Sequence, residues 1–265
     1  MQPRTQPAVR LGHTARRILA SSIVIATALA ASACGNDANN PLDLPVGQLR
    51  LVNAISDSNP IDATIANVPA SIENIAFGDA SGLKDVPEGS YTVRMTTTVN
   101  ASQVEFSVAS TPVDKDNITT VYAVGRMTDA TQSGFAVETP ITNVASDKSE
   151  VQFVNAASQP VTDLDIYLTA PDAVLSESSP ISSLAFKATS PPTLVNQGSY
   201  RIRVTPLGNP TSVLFDSGPT GIALPAADGE QFALLDNTNV AFASPLSILI
   251  LQRDGSDALI QHLGN

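Results

Sequence analysis

The residues able to do covalent or acid–base chemistry are few, and their spacing is the first thing the chain offers. There is one thiol, Cys34, and two imidazoles, His13 and His262, in 265 residues. A serine or cysteine nucleophile needs a histidine beside it, and a catalytic zinc needs several imidazole or thiolate ligands. Those arrangements are excluded if the first 33 residues are removed as a leader, because His262 is then the only imidazole and lies in the C-terminal tail. No P-loop, nucleophile elbow or dinucleotide fingerprint occurs. Carboxylates remain. Asp163 and Asp165 are two apart and project from the same face of a strand. Asp114, Asp116 and Asn117 crowd one turn in "PVDKDN". Neither group has the spacing of a calcium loop, since position 118 is Ile, and both read as solvated turn residues. We therefore expect no catalytic residue, no metal site and no cofactor. The alternative is a carboxylate-dependent hydrolase acting on envelope carbohydrate, which needs two carboxyl groups roughly 5 to 9 Å apart.

Cys34 has a different context. Before it stand Arg4, Arg10, Arg16 and Arg17 with no acidic residue, then an apolar stretch from Ile18 to Ala31, then Ala31-Ser32-Ala33. A basic start and an apolar run of this length describe an export signal rather than a membrane-spanning helix, which needs about 20 apolar residues. The small residues before the cysteine resemble the lipobox of bacterial lipoproteins, although Ala31 stands where that family prefers Leu. The resemblance implies cleavage before Cys34 and attachment of lipid to its sulfur. Each buried methylene contributes about 0.8 kcal/mol, so two or three acyl chains anchor firmly. Gly35 in the next position, where Asp often signals retention in the inner membrane, favours the outer membrane.

Removing residues 1 to 33 takes four arginines and leaves ten basic against 25 acidic residues, a net charge of −15. Such a surface repels nucleic acid and gains nothing from anionic lipid head groups. Membrane attachment then rests on the lipid. Charged residues make up only 15% of the chain and aromatics 5%, a composition suited to a turn-rich secreted β protein. No disulfide can form within the mature chain, so stability must come from apolar cores. Residues 36 to 47, "NDANNPLDLPVG", have no periodicity and read as a tether.

The elements that must position any site come in duplicate. "LRLVNAISDSNPIDATI" (residues 49–65) is echoed by "VQFVNAASQPVTDLDIYL" (151–168). "IAFGDASGLKDVPEGSYTVRMT" (75–96) aligns without a gap on "LAFKATSPPTLVNQGSYRIRVT" (184–205), with nine identities in 22 positions, too many for chance. Tyr91, Val93 and Met95 alternate with polar neighbours, as do Tyr200, Ile202 and Val204, which marks strands with one buried face. Gly89 and Gly198 are expected to supply positive φ in the turns before them. Tyr91 and Tyr200 are expected to pack with the hydroxyl bonded to backbone, as in a tyrosine corner. Arg94 and Arg203 are expected on the wet faces, paired with carboxylates across strands. "QFALL" (231–235) and "LSILIL" (246–251) are continuous apolar runs, as in strands covered on both faces, so this sheet should pack on the first module or on a partner.

Taken with "LRLVNA…IDATI" and "PEGSYTVRMT", these copies resemble a bacterial extracytoplasmic β-sandwich family known as a domain of unknown function, numbered 4397. The resemblance implies a fold and an envelope setting, and no activity. The reading is an all-β protein with two tandem antiparallel β-sandwich domains, immunoglobulin-like or related. Its parts are a signal peptide at 1–33, a lipidated tether at 34–47, a first module at 48–140, a linker at 141–149 and a second module at 150–265. The expected function is a non-catalytic binding, adhesion or assembly module on the membrane through its lipid, meeting an envelope protein or glycan, or else a plain structural spacer.

Overall fold

The computed structural model describes residues 45–160, 162–238 and 244–263, and Cys34, the signal segment and most of the tether lie outside them. The first module contains β1 (Val46–Asn53), β2 (Ile61–Ile65), β3 (Ser71–Ile75), β4 (Lys84–Pro87), β5 (Gly89–Val99), β6 (Ser102–Val113), β7 (Asn117–Val124) and β8 (Ser133–Pro140). They form two four-stranded sheets, β4-β1-β7-β8 and β3-β2-β5-β6. The second module contains β9 (Lys148–Asn155), β10 (Leu164–Thr169), β11 (Ser182–Leu184), β12 (Thr193–Asn196), β13 (Gly198–Pro206), β14 (Phe215–Asp216), β15 (Ile222–Leu224), β16 (Asp228–Asp236), β17 (Leu246–Gln252) and β18 (Asp257–Ile260). Its sheets are β12-β9-β16-β17-β18 and β11-β10-β13-β14, with β15 on β13. The chain is thus all-β, in two face-to-face sandwiches. One pairing per module differs from an antiparallel scheme: β1 runs parallel to β7, and β9 parallel to β16. The long excursion through the opposite sheet between each pair supplies the crossover that parallel neighbours require.

Each sandwich has its own apolar core. Leu49, Leu51, Ile61, Val93, Met95 and Val121 meet in the first, and Phe153, Ile166, Ile202, Val204, Phe215 and Phe232 in the second. The residues shared by the two copies hold the sheets together at one corner. Asn53 Oδ1 accepts the Ile55 N–H at 3.0 Å while its Nδ2 donates to Ile75 O at 3.1 Å. Asn155 does the same to Ala157 N–H and Leu184 O, at 3.2 Å each. Ser81 accepts from Leu51 N–H and its counterpart Ser190 from Phe153 N–H, both at 2.9 Å. These buried amides and hydroxyls satisfy backbone groups that the break between strands leaves open.

A third apolar cluster joins the modules. Val52, Ala54, Tyr122, Val124 and Val137 of the first pack with Val154, Ala156, Ala233, Leu235, Leu249 and Leu251 of the second. In β16, Phe232 and Leu234 point into the second core while Ala233 and Leu235 point into this seam. That division explains why the runs at 231–235 and 246–251 are apolar on both faces.

Candidate functional site

The tyrosines fill the expected role. Tyr91 donates its hydroxyl to Pro87 O at 2.7 Å, and Tyr200 to Asn196 O at 3.0 Å. Gly198 has φ of +154°, whereas Gly89 has no positive φ. Gly89 instead lies close under the Tyr91 ring, where a Cβ would fall 3.2 Å from it and press on the phenol. Arg94 is on the wet face and pairs with Glu105 at 3.0 Å. Arg203 is not: it is buried, donating to Thr169 Oγ1 at 2.7 Å and Ala173 O at 2.9 Å. The segment after β10 folds across that face, which the first module leaves open. His262 is not a solvated tail residue either. Its Nδ1 accepts the Asp216 N–H at 3.0 Å and its ring meets Phe215 edge-on. Asp114 and Asp116 lie exposed in their turn.

Asp163 and Asp165 do not share a face. Asp163 precedes β10 and is exposed. Asp165, expected in solvent, is 4% exposed. Its Oδ1 accepts Ser183 Oγ–H at 2.5 Å and its Oδ2 accepts the Gly208 N–H at 2.7 Å. Its counterpart in the first copy is Asp62, which stands opposite Thr96 just as Asp165 stands opposite Thr205. Asp62 is exposed and its Oδ1 accepts the Asn74 N–H at 2.7 Å.

Asp62 opens on a groove of about 250 Å³ lined by Asn59, Pro60, Asn74, Thr96, Thr97, Thr98 and Gln103. Its walls are positioned by local polar contacts. Thr97 Oγ1 donates to Asn59 O at 3.0 Å, and Asn59 Nδ2 to Thr98 O at 2.6 Å. Asn74 takes φ of +61°, a conformation Asn tolerates, which turns its N–H toward Asp62. Asp62 is the only titratable side chain in the lining. Acid–base cleavage of a glycoside uses two carboxyl groups. Among the described residues no three His, Cys, Asp or Glu side chains come together as metal ligands.

The groove and the chain entry are at opposite ends of the first module. Pro45 O accepts the Glu88 N–H at 2.7 Å, just before β5 begins. Thr96 lies seven residues along that strand, about 23 Å away at the usual strand rise.

A second polar group, inside the seam, escaped sequence reasoning. Tyr122 donates to Gln231 Oε1 at 2.5 Å, and Gln231 Nε2 donates to Gln152 Oε1 at 2.8 Å and Thr139 Oγ1 at 3.0 Å. Arg50, 2% exposed, donates to Thr120 Oγ1 at 3.0 Å and Gln252 O at 2.8 Å. Burial pulls its guanidinium pKa down, opposed by the neighbouring Tyr122 and Asp257, and burial pushes the Tyr122 phenol far up. Arg253 lies over Gly229, where a Cβ would fall 2.5 Å from Nε, and pairs with Glu150. Arg50 and Gln152 alternate with apolar neighbours like any wet face, so nothing in their own spacing marks them as covered.

Residues 47–167 match the family described as "Domain of unknown function (DUF4397)". The match takes in the first sandwich and continues to Tyr167 in the second, and it supports the resemblance drawn from the repeated motifs. A search of curated proteins found no match. Among solved structures, a proposed cell adhesion protein from Bacteroides ovatus aligns over 83% of this chain and 99% of its own, with 9% identity and a TM-score of 0.22. A superposition that loose carries no argument about this chain.

Proposed function

We propose that this chain is a cell-envelope lipoprotein whose paired sandwiches act as one non-catalytic binding or adhesion element. Lipid on Cys34 holds it to a membrane, the outer one where the cell has two. The observation that carries this reading is the polar groove beside Asp62, placed at the far end of the first module from Pro45, where the chain arrives. A tether attached at one end leaves the other free to meet an envelope partner. The shared apolar seam supports it too, because two modules locked together hold a groove in a fixed direction better than two on a flexible linker.

Intact-mass analysis of the mature amino terminus, with membrane fractionation, tests the anchor. Wild-type protein should begin at Cys34, carry diacylglycerol and sediment with membranes, and a Cys34→Ala variant should do none of these. Unacylated, freely soluble wild-type protein would overturn the anchor.

A further inference from the structure

The two copies treat one carboxylate in two ways. After Pro206 the second copy leaves its strand, and residues 207–214 loop back over Asp165. Gly208, with φ of +72°, aims its N–H at Asp165 Oδ2 from 2.7 Å, while Leu207 N–H donates to Asp163 O at 2.9 Å. After Thr96 the first copy continues as strand through Val99 and turns directly into β6, so no loop returns. Asp62 keeps the same register, yet its Oδ2 receives no donor among the described residues. The groove of about 250 Å³ lies beside Asp62, as the returning loop of the second copy lies beside Asp165.

We propose that the groove beside Asp62 receives a loop of another polypeptide, which supplies to Oδ2 the backbone N–H that Gly208 supplies to Asp165. This names the ligand class for the binding function proposed above and rests on that reading. Two observations favour a peptide. The group that meets the equivalent carboxylate Asp165 is the backbone of a peptide loop. Thr98 and Gln103 side chains, with no partner inside the protein among the described residues, stand ready for peptide carbonyls.

The probe is the chain's own plug, a cyclised peptide of residues 205–212 (TPLGNPTS), added at millimolar concentration to the full mature chain carrying Cys34→Ala. Amide resonances of Asn74, Thr98 and Gln103 should move and saturate. Methylating the glycine nitrogen of the peptide, or substituting Asp62→Ala, should weaken binding about tenfold, the worth of one hydrogen bond to a charged group. Asp62→Asn, which keeps the acceptor, should weaken it less. Absence of movement at the groove, or equal binding by the methylated peptide, would overturn the proposal. Movement caused by a neutral oligosaccharide and not by the peptide would overturn the ligand class and leave the binding function standing. Failure of the anchor is read separately, by mass, and does not touch this result.

Discussion

At the scale of single residues, equivalent positions in the two copies have acquired different duties, and burial decides which. Asp165 is enclosed and saturated with donors, whereas Asp62 is open. Asp165→Ala strands the Gly208 N–H and the Ser183 hydroxyl and should cost about 2 to 3 kcal/mol in denaturant unfolding. Asp62→Ala should stay within about 0.5 kcal/mol of wild type. Glu230 makes a different prediction. It is 6% exposed, its Oε2 has no hydrogen-bond partner among the described residues, and burial, then the Asp228 charge, pushes its pKa from 4.5 to about 7. A carboxyl that is harder to ionise folded than unfolded binds more protons in the folded state across that interval. Its contribution is therefore complete below pH 4.5 and is lost as pH rises toward about 7. Thermal melts should show stability falling over that window, and Glu230→Gln should flatten the slope and melt higher than wild type at pH 8. An unchanged slope in the variant would place the titration elsewhere.

Elements show which parts of the molecule were legible beforehand. Strands around Tyr91 and Tyr200 were readable because alternation, a Gly-Ser-Tyr turn and the repeat all agreed, and the phenol contacts followed from the same pattern. Asn53 and Asn155 occupy matching places in the two copies, but their corner contacts depend on strands 22 and 29 residues away and needed coordinates. Either Asn→Ala substitution should cost about 2 to 3 kcal/mol, since it orphans buried backbone groups, and hydrogen exchange should rise first at Ile55 or Ala157. Polar residues were misread wherever a covering segment has no counterpart in the other copy. Arg203 and Asp165 look as wet as Arg94 and Asp62 in sequence, and only the segments at 170–181 and 207–214 enclose them. The groove was illegible for the same reason, being the place such a segment is missing.

For the whole molecule the seam governs behaviour. Leu249 and Leu251 meet Val52 and Val124, and Tyr122 reaches Gln231 across the same plane. Calorimetry should therefore record one cooperative transition for both sandwiches rather than two. Leu249→Asp buries an unpaired charge at that plane and should cost at least about 3 kcal/mol, splitting the transition in two. A single undivided transition in that variant would mean that the modules are coupled through other contacts. The seam also makes the pair asymmetric to extension, since the contact faces of the two copies are turned toward each other. Many duplicated domains extend into filaments or solenoids because each unit offers one sticky face forward and another behind. Here each sandwich turns an apolar outer face to its twin, while Arg94 and Glu105 pair on a face left to water. The pair therefore closes on itself across the seam, where an open array would repeat one interface from unit to unit.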